Sequence, residues 1–364
     1  MMVAPQDPGT YRASASLILA AKEASSAKFD YSLLLIKRSE RTSYALNHCV
    51  FPGGVFDAGA DESSEWLSYF RSFGVTNEDL KRLSCDQVST RPDFLSCGQN
   101  FSRDISLRLT ALREAFEEVG LLLCANEEGL RHWHATTQGE PRTLLLQPDE
   151  RSQWQQRVHD DGTQFLALCK HLNVLPNLWS LHEWSAWRTA ATASRKFDTV
   201  YYVTALKEQA KQVSLLLEPQ EVASAHWLNP DAAWTQSQNG TIWLPFMLLY
   251  DTARLMNLRR SEDLLKFCRQ RSALGTTLVQ PVYYRCDGCM FGVLPGDELY
   301  VSEPEKCTQS IMLNVSVSEL NSSTRQYNRY IAYDFHRVVL ASNVPPFDGH
   351  LQLQEHVNSQ LSKL

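Results

Sequence analysis

The sequence lacks any apolar run long enough to cross a membrane. A spanning helix needs about 20 consecutive, mostly apolar residues. The best run near the N-terminus covers only residues 17–21 and is followed by Lys22 and Glu23. A secretory signal needs an apolar stretch of about 7–15 residues, and this region lacks one. We therefore expect a protein without a membrane-spanning helix.

Cysteine is scarce, and neither sign of charge dominates. The nine cysteines are an odd number spread thinly over 364 residues, so we expect reduced thiols in an intracellular compartment and no disulfide framework. The 35 basic and 41 acidic residues give a formal net charge of −6. A surface that grips nucleic acid as a whole needs an excess of positive charge. We therefore expect no nucleic-acid partner, and any polyanionic ligand must bind locally.

Apolar periodicity and turn residues predict an alternation of strands and helices. Residues 16–20 and 31–36 flank a polar turn and predict a β-hairpin within residues 12–36. Phe-Pro-Gly-Gly at 51–54 interrupts regular structure. Residues 62–103 show no clear period and are interpreted as an insertion. The other predicted elements are helices at 65–70, 104–119, 149–172, 244–258 and 261–271, and strands at 197–203 and 224–228.

The helix at 104–119 carries the chemical signal. Its apolar residues occupy one face, and Glu114 and Glu118 lie one turn apart on the opposite face with no basic residue beside them. These like charges repel. They also precede Gly120, which ends the helix at the pole where the macrodipole disfavours negative charge. Both effects call for a compensating positive charge.

A divalent cation would supply that charge. Carboxylate oxygens are the ligands that Mg²⁺ and Mn²⁺ prefer, and Glu117 is close to both Glu114 and Glu118. Arg113 lies four residues before Glu117 and can form an ion pair with it. The alternative is an acidic helix face that water solvates, which is common. The helix alone leaves both interpretations open.

The wider pattern resembles the Nudix box. Residues 113–121, R-E-A-F-E-E-V-G-L, match the second half of that motif, R-E-U-x-E-E-x-G-U with U apolar, at every specified position. Phe-Pro-Gly-Gly at 51–54 is similar to the glycine loop that opens the box. In the family a glutamate lies between the halves, at short fixed spacing. Here the insertion splits the box, and Ala60, followed by Asp61 and Glu62, stands where that glutamate is expected, so the glutamate is not assigned.

The resemblance implies an α/β fold and a metal-dependent hydrolase. Nudix proteins place the box as loop, helix and loop over a mixed sheet in an α/β/α sandwich, and they cleave a nucleoside diphosphate linked to another group. Carried over by position, Glu114 and Glu118 bind the metal, expected to be Mg²⁺ or Mn²⁺. Glu117 is a further ligand or the catalytic base, and Arg113 orients these groups.

Three features narrow the substrate class. Residues 34–39, L-L-I-K-R-S, resemble the motif before the box in Nudix coenzyme A diphosphatases, although the sequence departs from that motif at residues 43–48. The split box, together with W-S-A-W-R-T at 184–189 and R-K-F-D-T-V-Y-Y at 195–202, is similar to the peroxisomal acyl-coenzyme A diphosphatase branch. The final tripeptide, Ser362, Lys363 and Leu364, is typical of a peroxisomal address.

Coenzyme A carries a 3′-phosphate besides its diphosphate, so its pocket needs cations. The candidate substrate-binding residues are Gly53, Gly54, Lys37, Arg38, Arg195 and Lys196. Each basic residue could instead be a solvated surface charge. Glu221, with Glu218 beside it, is the candidate for an additional catalytic carboxylate before the strand at 224–228; the alternative is a polar turn around Pro219.

Two further patterns favour structure over chemistry. Cys-Asp-Gly-Cys at 286–289 has zinc-knuckle spacing but lacks a second pair, and Asp-Gly predicts a hairpin turn. Trp179, Trp184 and Trp187 could line a channel for an acyl chain, but tryptophans at such spacing more often fill a core.

We predict a Nudix hydrolase that splits the diphosphate bond of coenzyme A and acyl-coenzyme A into 3′,5′-ADP and (acyl-)4′-phosphopantetheine. The alternatives are a peroxisomal NADH diphosphatase and a Nudix-fold binding module without turnover. We expect a peroxisomal protein recognised by the import receptor. The predicted domains are a Nudix domain at 10–260 with insertions at 62–103 and 125–195, a helical and β-rich extension at 261–361, and the targeting tripeptide at 362–364.

Overall fold

The computed structural model describes residues 10–23, 28–40, 48–84, 91–96, 98–125, 142–144, 146–334 and 336–354. The strands are β1 (Arg12–Lys22), β2 (Tyr31–Arg38), β3 (Cys49–Val50), β4 (Gly53–Val55), β5 (Leu122–Ala125), β6 (Arg142–Leu144), β7 (Leu175–Pro176), β8 (His182–Arg188), β9 (Phe197–Gln209), β10 (Val222–Leu228), β11 (Leu278–Val279), β12 (Val282–Cys286), β13 (Cys289–Val293), β14 (Ile311–Met312), β15 (Asn328–Ala332) and β16 (Val338–Ser342). The helices are α1 (Ala58–Asp61), α2 (Glu65–Ser72), α3 (Asn77–Lys81), α4 (Asp93–Ser96), α5 (Arg103–Val119), α6 (Pro148–Asp160), α7 (Gln164–Leu172), α8 (Pro230–Gln238), α9 (Phe246–Leu255), α10 (Ser261–Ser272) and α11 (Val317–Ser323).

Eight strands form a mixed sheet in the order β10-β2-β1-β9-β8-β11, with β3 paired to β2 and β4 paired to β1. Strands β1 and β2 are antiparallel, which confirms the predicted hairpin, whereas β1 and β9 are parallel. The strands predicted at 197–203 and 224–228 are the first half of β9 and most of β10.

The sheet lies between two helical layers, because alternate residues of each central strand enter different cores. Leu17 and Leu19 of β1 pack in the core that contains α5, whereas Ile18 and Ala20 pack in the core that contains α8, α9 and α10. The predicted α/β/α arrangement is therefore present. Both faces of β1 are buried, which explains its nearly continuous apolar sequence.

Two predictions about the helical segments need correction. The single helix predicted at 149–172 is two helices, α6 and α7, because the Asp161 carboxylate accepts the Thr163 N–H at 3.0 Å and forms a turn between them. Strand β8 lies inside the segment predicted as an insertion at 125–195, yet it pairs with β9 in the large sheet. The segment predicted as the 62–103 insertion contains α2, α3 and α4.

The C-terminal part continues the same fold. Strand β11 joins the large sheet beside β8, and Leu294, Tyr330 and Leu340 share the core of α9 and α10. A second sheet has the order β14-β12-β13-β15-β16. Its β12–β13 hairpin turns at Asp287 and Gly288, as predicted, and Cys286 and Cys289 are free thiols. Among the described helices, none combines the length and apolar character needed to span a membrane.

Candidate active site

The end of α5 is buried, which corrects the expectation of a charged face opposite a packed one. Arg113 is 4% exposed and Glu118 is 2% exposed. Residues 214–221 cover the end of the helix: the N–H groups of Leu216 and Glu218 donate to the carbonyls of Val119 and Glu118 at 3.0 and 3.1 Å. These contacts satisfy carbonyls that have no partner within the helix.

Gly120 ends α5 in the left-handed conformation, with φ of 68°. Glycine adopts this conformation without the steric cost of a Cβ atom. Its own N–H donates to the Phe116 carbonyl, and the N–H of Leu121 donates to the Ala115 carbonyl. The helix therefore stops directly after the glutamates, as the sequence predicts.

Arg113 organises the carboxylates. Its Nε and Nη2 atoms donate to the two carboxylate oxygens of Asp61 at 2.8 and 2.9 Å. Its Nη1 atom donates to Glu114 at 2.9 Å and to Glu117 at 2.5 Å. The predicted pair with Glu117 is present, but the expectation that no basic residue lies beside Glu114 was wrong. Arg113 is next to Glu114 in sequence, and Asp61 turns its guanidinium so that one edge reaches both glutamates.

Asp61 is the site residue that sequence reasoning left unassigned. Its carboxylate also accepts the Thr110 hydroxyl at 2.8 Å, and the side chain is fully buried. The neighbouring Glu62 points elsewhere and binds Arg103 and Ser106. The only signal in the sequence was that Asp61 lies one position beyond the expected glutamate.

The glycine loop lies against the helix. The N–H of Gly53 donates to Glu118 Oε2 at 2.8 Å. A Cβ atom on Gly54 would lie 2.3–2.4 Å from the carboxylate atoms of Glu114, and one on Gly53 would lie 2.3 Å from the Ala15 carbonyl oxygen. No other residue fits such close approaches. The two halves of the split box therefore meet in space.

Burial and mutual repulsion raise the pKa of the three glutamates of the helix. The pKa of Glu118 lies well above its usual value, because the side chain is buried and Glu114 adds like charge. Burial, followed by the charge of Glu114, raises the pKa of Glu117 to about 8. Burial also raises the pKa of Glu114, against the lowering effect of Arg113.

Glu221 and Arg38 complete the cluster. The charge of Glu221 contributes to the raised pKa of both Glu114 and Glu118. An Nη1 atom of Arg38 lies 3.7 Å from Glu118 Oε1. Glu218 has a structural role instead, because its carboxylate accepts the N–H groups of Gln220 and Glu221 within the loop. Five carboxylates, counting Asp61 and Glu117, thus share two guanidinium groups.

This excess of negative charge fits a hard divalent cation. Buried carboxylates at close spacing are costly unless a cation compensates them, and oxygen donors suit Mg²⁺-like ions. Within the described residues, no three acidic, histidine or cysteine side chains are already arranged as a ligand set. Arg113 holds oxygens of Glu114 and Glu117, so these would have to turn towards a cation.

The strand register brings the predicted basic residues to one end of the large sheet. Strands β2 and β8 end at Arg38 and Arg188, and β9 begins at Phe197 opposite the start of β1. Side chains alternate along a strand, so Lys37 lies on the opposite face of β2 from Ile36 and Arg38. Arg195 and Lys196 precede β9, where the Lys196 ammonium lies 5.6 Å from the Tyr11 ring. Of these four residues, Arg38 reaches the carboxylate cluster, through Glu118.

The three tryptophans that were candidates for a channel lie in the hydrophobic cores. Trp184 and Trp187 are buried in the core with α9 and α10, and Trp179 is buried in the core of α5. They fill cores and do not line a channel, as the alternative reading held. Ser362, Lys363 and Leu364 lie outside the described residues.

Comparisons with known proteins agree with this geometry. The family model of the NUDT19 Nudix domain matches residues 11–255. The human protein named acyl-coenzyme A diphosphatase NUDT19 is 31% identical over 330 residues, which cover 88% of this chain and 86% of the relative. The chicken (Gallus gallus) protein of the same name is 30% identical over 335 residues, covering 88% of this chain and 87% of the relative.

A solved structure supports the fold. The crystal structure of a NUDIX hydrolase from Alicyclobacillus acidocaldarius matches with a TM-score of 0.51 and 19% sequence identity, over 71% of this chain and 96% of that one. Nudix hydrolases generally use divalent metal ions, and the donor set at the end of α5 is chemically suited to one. The chain, with both halves of its box joined at the glycine loop and a family match over residues 11–255, belongs to the NUDT19-type Nudix hydrolases.

Proposed function

We propose that this protein hydrolyses the diphosphate bond of coenzyme A and acyl-coenzyme A, giving 3′,5′-ADP and (acyl-)4′-phosphopantetheine. The carboxylate cluster of Glu114, Glu117 and Glu118 against the glycine loop carries the proposal. Hydrolysis of a diphosphate needs carboxylates that can hold a divalent cation and accept a proton from water. The names of the relatives, which specify acyl-coenzyme A as the substrate, support this choice among diphosphates.

The buried side chains take distinct roles in this reaction. Glu114 and Glu118 would hold the cation, which we propose to be Mg²⁺ or Mn²⁺ because every donor is a hard oxygen. When bound, the cation neutralises the diphosphate and makes water more acidic. Glu117 is the proposed base, because a carboxylate beside the bound cation can accept a proton from the attacking water. Arg113 holds Glu117 in place, and Glu221 is a further carboxylate beside the cluster.

Basic residues at the same end of the sheet supply contacts for the phosphates. Arg38 lies beside Glu118 and is the proposed contact for the diphosphate. Lys37, Arg195 and Lys196 are proposed contacts for the 3′-phosphate, because the strand register places them at this end. Gly53 and Gly54 allow the backbone to approach the substrate closely.

A product analysis tests the function. Coenzyme A, an acyl-coenzyme A and NADH are offered separately with Mg²⁺ or Mn²⁺, and the products are identified by mass. We expect 3′,5′-ADP and the matching 4′-phosphopantetheine, and no product from Glu118→Gln. Preferred formation of reduced NMN (NMNH) and AMP from NADH would make the protein an NADH diphosphatase. If the wild-type protein and Glu118→Gln bind these compounds equally and neither forms product, the protein is a binding module.

We also propose a peroxisomal location. Ser362, Lys363 and Leu364 form the signal that the import receptor would recognise. A fluorescent protein fused to the N-terminus of the full chain should colocalise with a peroxisomal marker. Deletion of the three residues should leave the fusion in the cytosol, and unchanged colocalisation would refute the proposal.

A further inference from the structure

An apolar cleft lies between the large sheet and the C-terminal sheet. Its volume is about 680 Å³. Its lining residues come from the loop before β3, the segments around α9 and the strands of the C-terminal sheet; among them are His48, Trp243, Phe246, Met290, Met312 and Tyr330. Among the described lining residues, the charged ones are Arg285, Asp287 and Asp334, in or next to the turns that end strands β12 and β15. The cleft is therefore suited to a hydrophobic ligand.

The composition of the lining favours a flexible chain. Phe246 and Tyr330 stack with ring centroids 4.2 Å apart and form an aromatic wall. Met290 and Met312 add unbranched thioether side chains, which adapt to ligands of different length. Met312 is 68% exposed and lines the cleft, so its side chain is accessible to a ligand that enters from solvent.

The cleft and the carboxylate cluster are connected through two residues. The Arg38 N–H donates to the His48 carbonyl at 2.9 Å, and the Arg38 guanidinium approaches Glu118. The His48 ring lies 3.9 Å from the Trp243 ring, inside the cleft. Both sites thus lie at the end of the sheet where β2 stops and β3 begins, on its two faces. Burial and the charge of Arg38 lower the pKa of His48 to about 4, so its ring is neutral at pH 7.

We infer that this cleft binds the acyl chain of the thioester substrate. The inference rests on the proposed function and extends it to chain-length selectivity. With the diphosphate at Glu118, the pantetheine arm passes the end of β2 at Arg38 and His48, and the acyl chain enters between Phe246 and Met312. Coenzyme A without an acyl group leaves the cleft empty and gains nothing from it.

The test compares substrates of increasing chain length with one pair of variants. Met312→Glu places a charge in the cleft at an exposed position, so the fold tolerates it. Leu274→Glu is the matched control, because Leu274 is 50% exposed and does not line the cleft. Steady-state kinetics are measured with coenzyme A, acetyl-coenzyme A and octanoyl-coenzyme A. Binding of octanoyl-pantetheine, which lacks the diphosphate, is measured by calorimetry without metal.

In the wild-type protein and in Leu274→Glu, we expect KM to fall as the chain lengthens, by up to about fourfold for each buried methylene. In Met312→Glu, we expect KM for octanoyl-coenzyme A to rise towards that for coenzyme A, with coenzyme A hydrolysis within about twofold of wild type. Octanoyl-pantetheine should bind to the wild-type protein and to Leu274→Glu but not to Met312→Glu.

Two results overturn the inference while the proposed function stands. One is hydrolysis of all three substrates with KM independent of chain length in every protein. The other is a decrease in kcat/KM in Met312→Glu that is equally large for coenzyme A and for octanoyl-coenzyme A. A wild-type protein that hydrolyses none of the substrates but binds octanoyl-pantetheine through Met312 refutes the proposed function and supports a chain site in the cleft.

Discussion

Arg113 binds Asp61 through two parallel hydrogen bonds across 52 residues of sequence. This pair fastens α1 to α5 and joins the two halves of the split box. It also fixes the guanidinium edge that reaches Glu114 and Glu117. We therefore expect Asp61 to act on the reaction through Arg113, as a positioning residue.

Asp61→Asn should impair both stability and turnover. Removing one partner of a buried ion pair costs roughly 3–5 kcal/mol, and losing an outer partner of a metal site costs about 10- to 100-fold in activity. We expect a lower free energy of unfolding in urea and a lower kcat with little change in KM. The kcat–pH profile should shift as well, because Arg113 no longer holds Glu117 in place.

Glu62→Gln is the matched control for Asp61→Asn. Glu62 is also buried and paired with an arginine, but that arginine is Arg103. The Glu62→Gln variant should have a lower free energy of unfolding but the wild-type kcat and the wild-type kcat–pH profile. Equal kinetic effects in the two variants would show that Asp61 has no special relation to the site.

Gly54→Ala should abolish most activity with little effect on folding. The added methyl group would overlap the Glu114 carboxylate, which can move aside only by leaving its position. Displacement of a catalytic group by about 1 Å can cost about 100-fold in rate. The measurement is kcat/KM beside the melting temperature.

Gly59→Ala serves as the control for Gly54→Ala, since its Cβ would lie 3.3 Å from only one atom, Oδ1 of Asp57. It should retain wild-type kcat/KM. If Gly54→Ala is as active as Gly59→Ala, then Glu114 does not need its observed position.

The metal-free protein should lose stability as the pH rises from about 4.5 to about 8. The pKa of Glu117 is raised from 4.5 to about 8 in the folded state, so the folded state binds more protons than the unfolded state in this range. The contribution of Glu117 to stability is then largest below its pKa in the unfolded state, and it is lost as the pH rises through its pKa in the folded state. Urea unfolding in a chelator at several pH values measures this slope.

Glu117→Gln should flatten that slope, because an amide does not titrate. A surface substitution such as Glu78→Gln should leave it unchanged, since Glu78 is exposed. An equal slope in wild type and Glu117→Gln would mean that other groups cause the pH dependence.

A divalent cation should stabilise the wild-type protein and not Glu118→Gln. A ligand that binds only the folded state raises the melting temperature by mass action. Glu118→Gln removes a carboxyl group whose charged form the buried, repelling cluster disfavours, so its metal-free form should melt at or above the wild-type temperature. Titration with Mg²⁺ and Mn²⁺ in a thermal melt measures both effects. An equal metal-induced shift in the two proteins would place the cation elsewhere.

The predictions that held depend on neighbours in sequence. The hairpin of β1 and β2, helix α5 and its end at Gly120 follow from periodicity and turn residues within a few positions. The single helix at 149–172 was wrong because the turn at Asp161 depends on a side-chain cap that periodicity does not detect. The buried setting of Glu118 was missed because the covering residues 214–221 lie about 100 positions away.

The sequence by itself determined the chemical groups of this protein. Glu114, Glu117 and Glu118 recur along one helix at spacings that helical geometry brings together, and the Nudix pattern around them makes a bound cation the expectation. The tertiary structure decided how those groups are held: Asp61 rather than Glu62 binds Arg113, and Gly54 contacts Glu114. Contacts across about 50 to 60 residues depend on how the sheet and α5 pack, because an insertion of any length can loop out between two groups that meet.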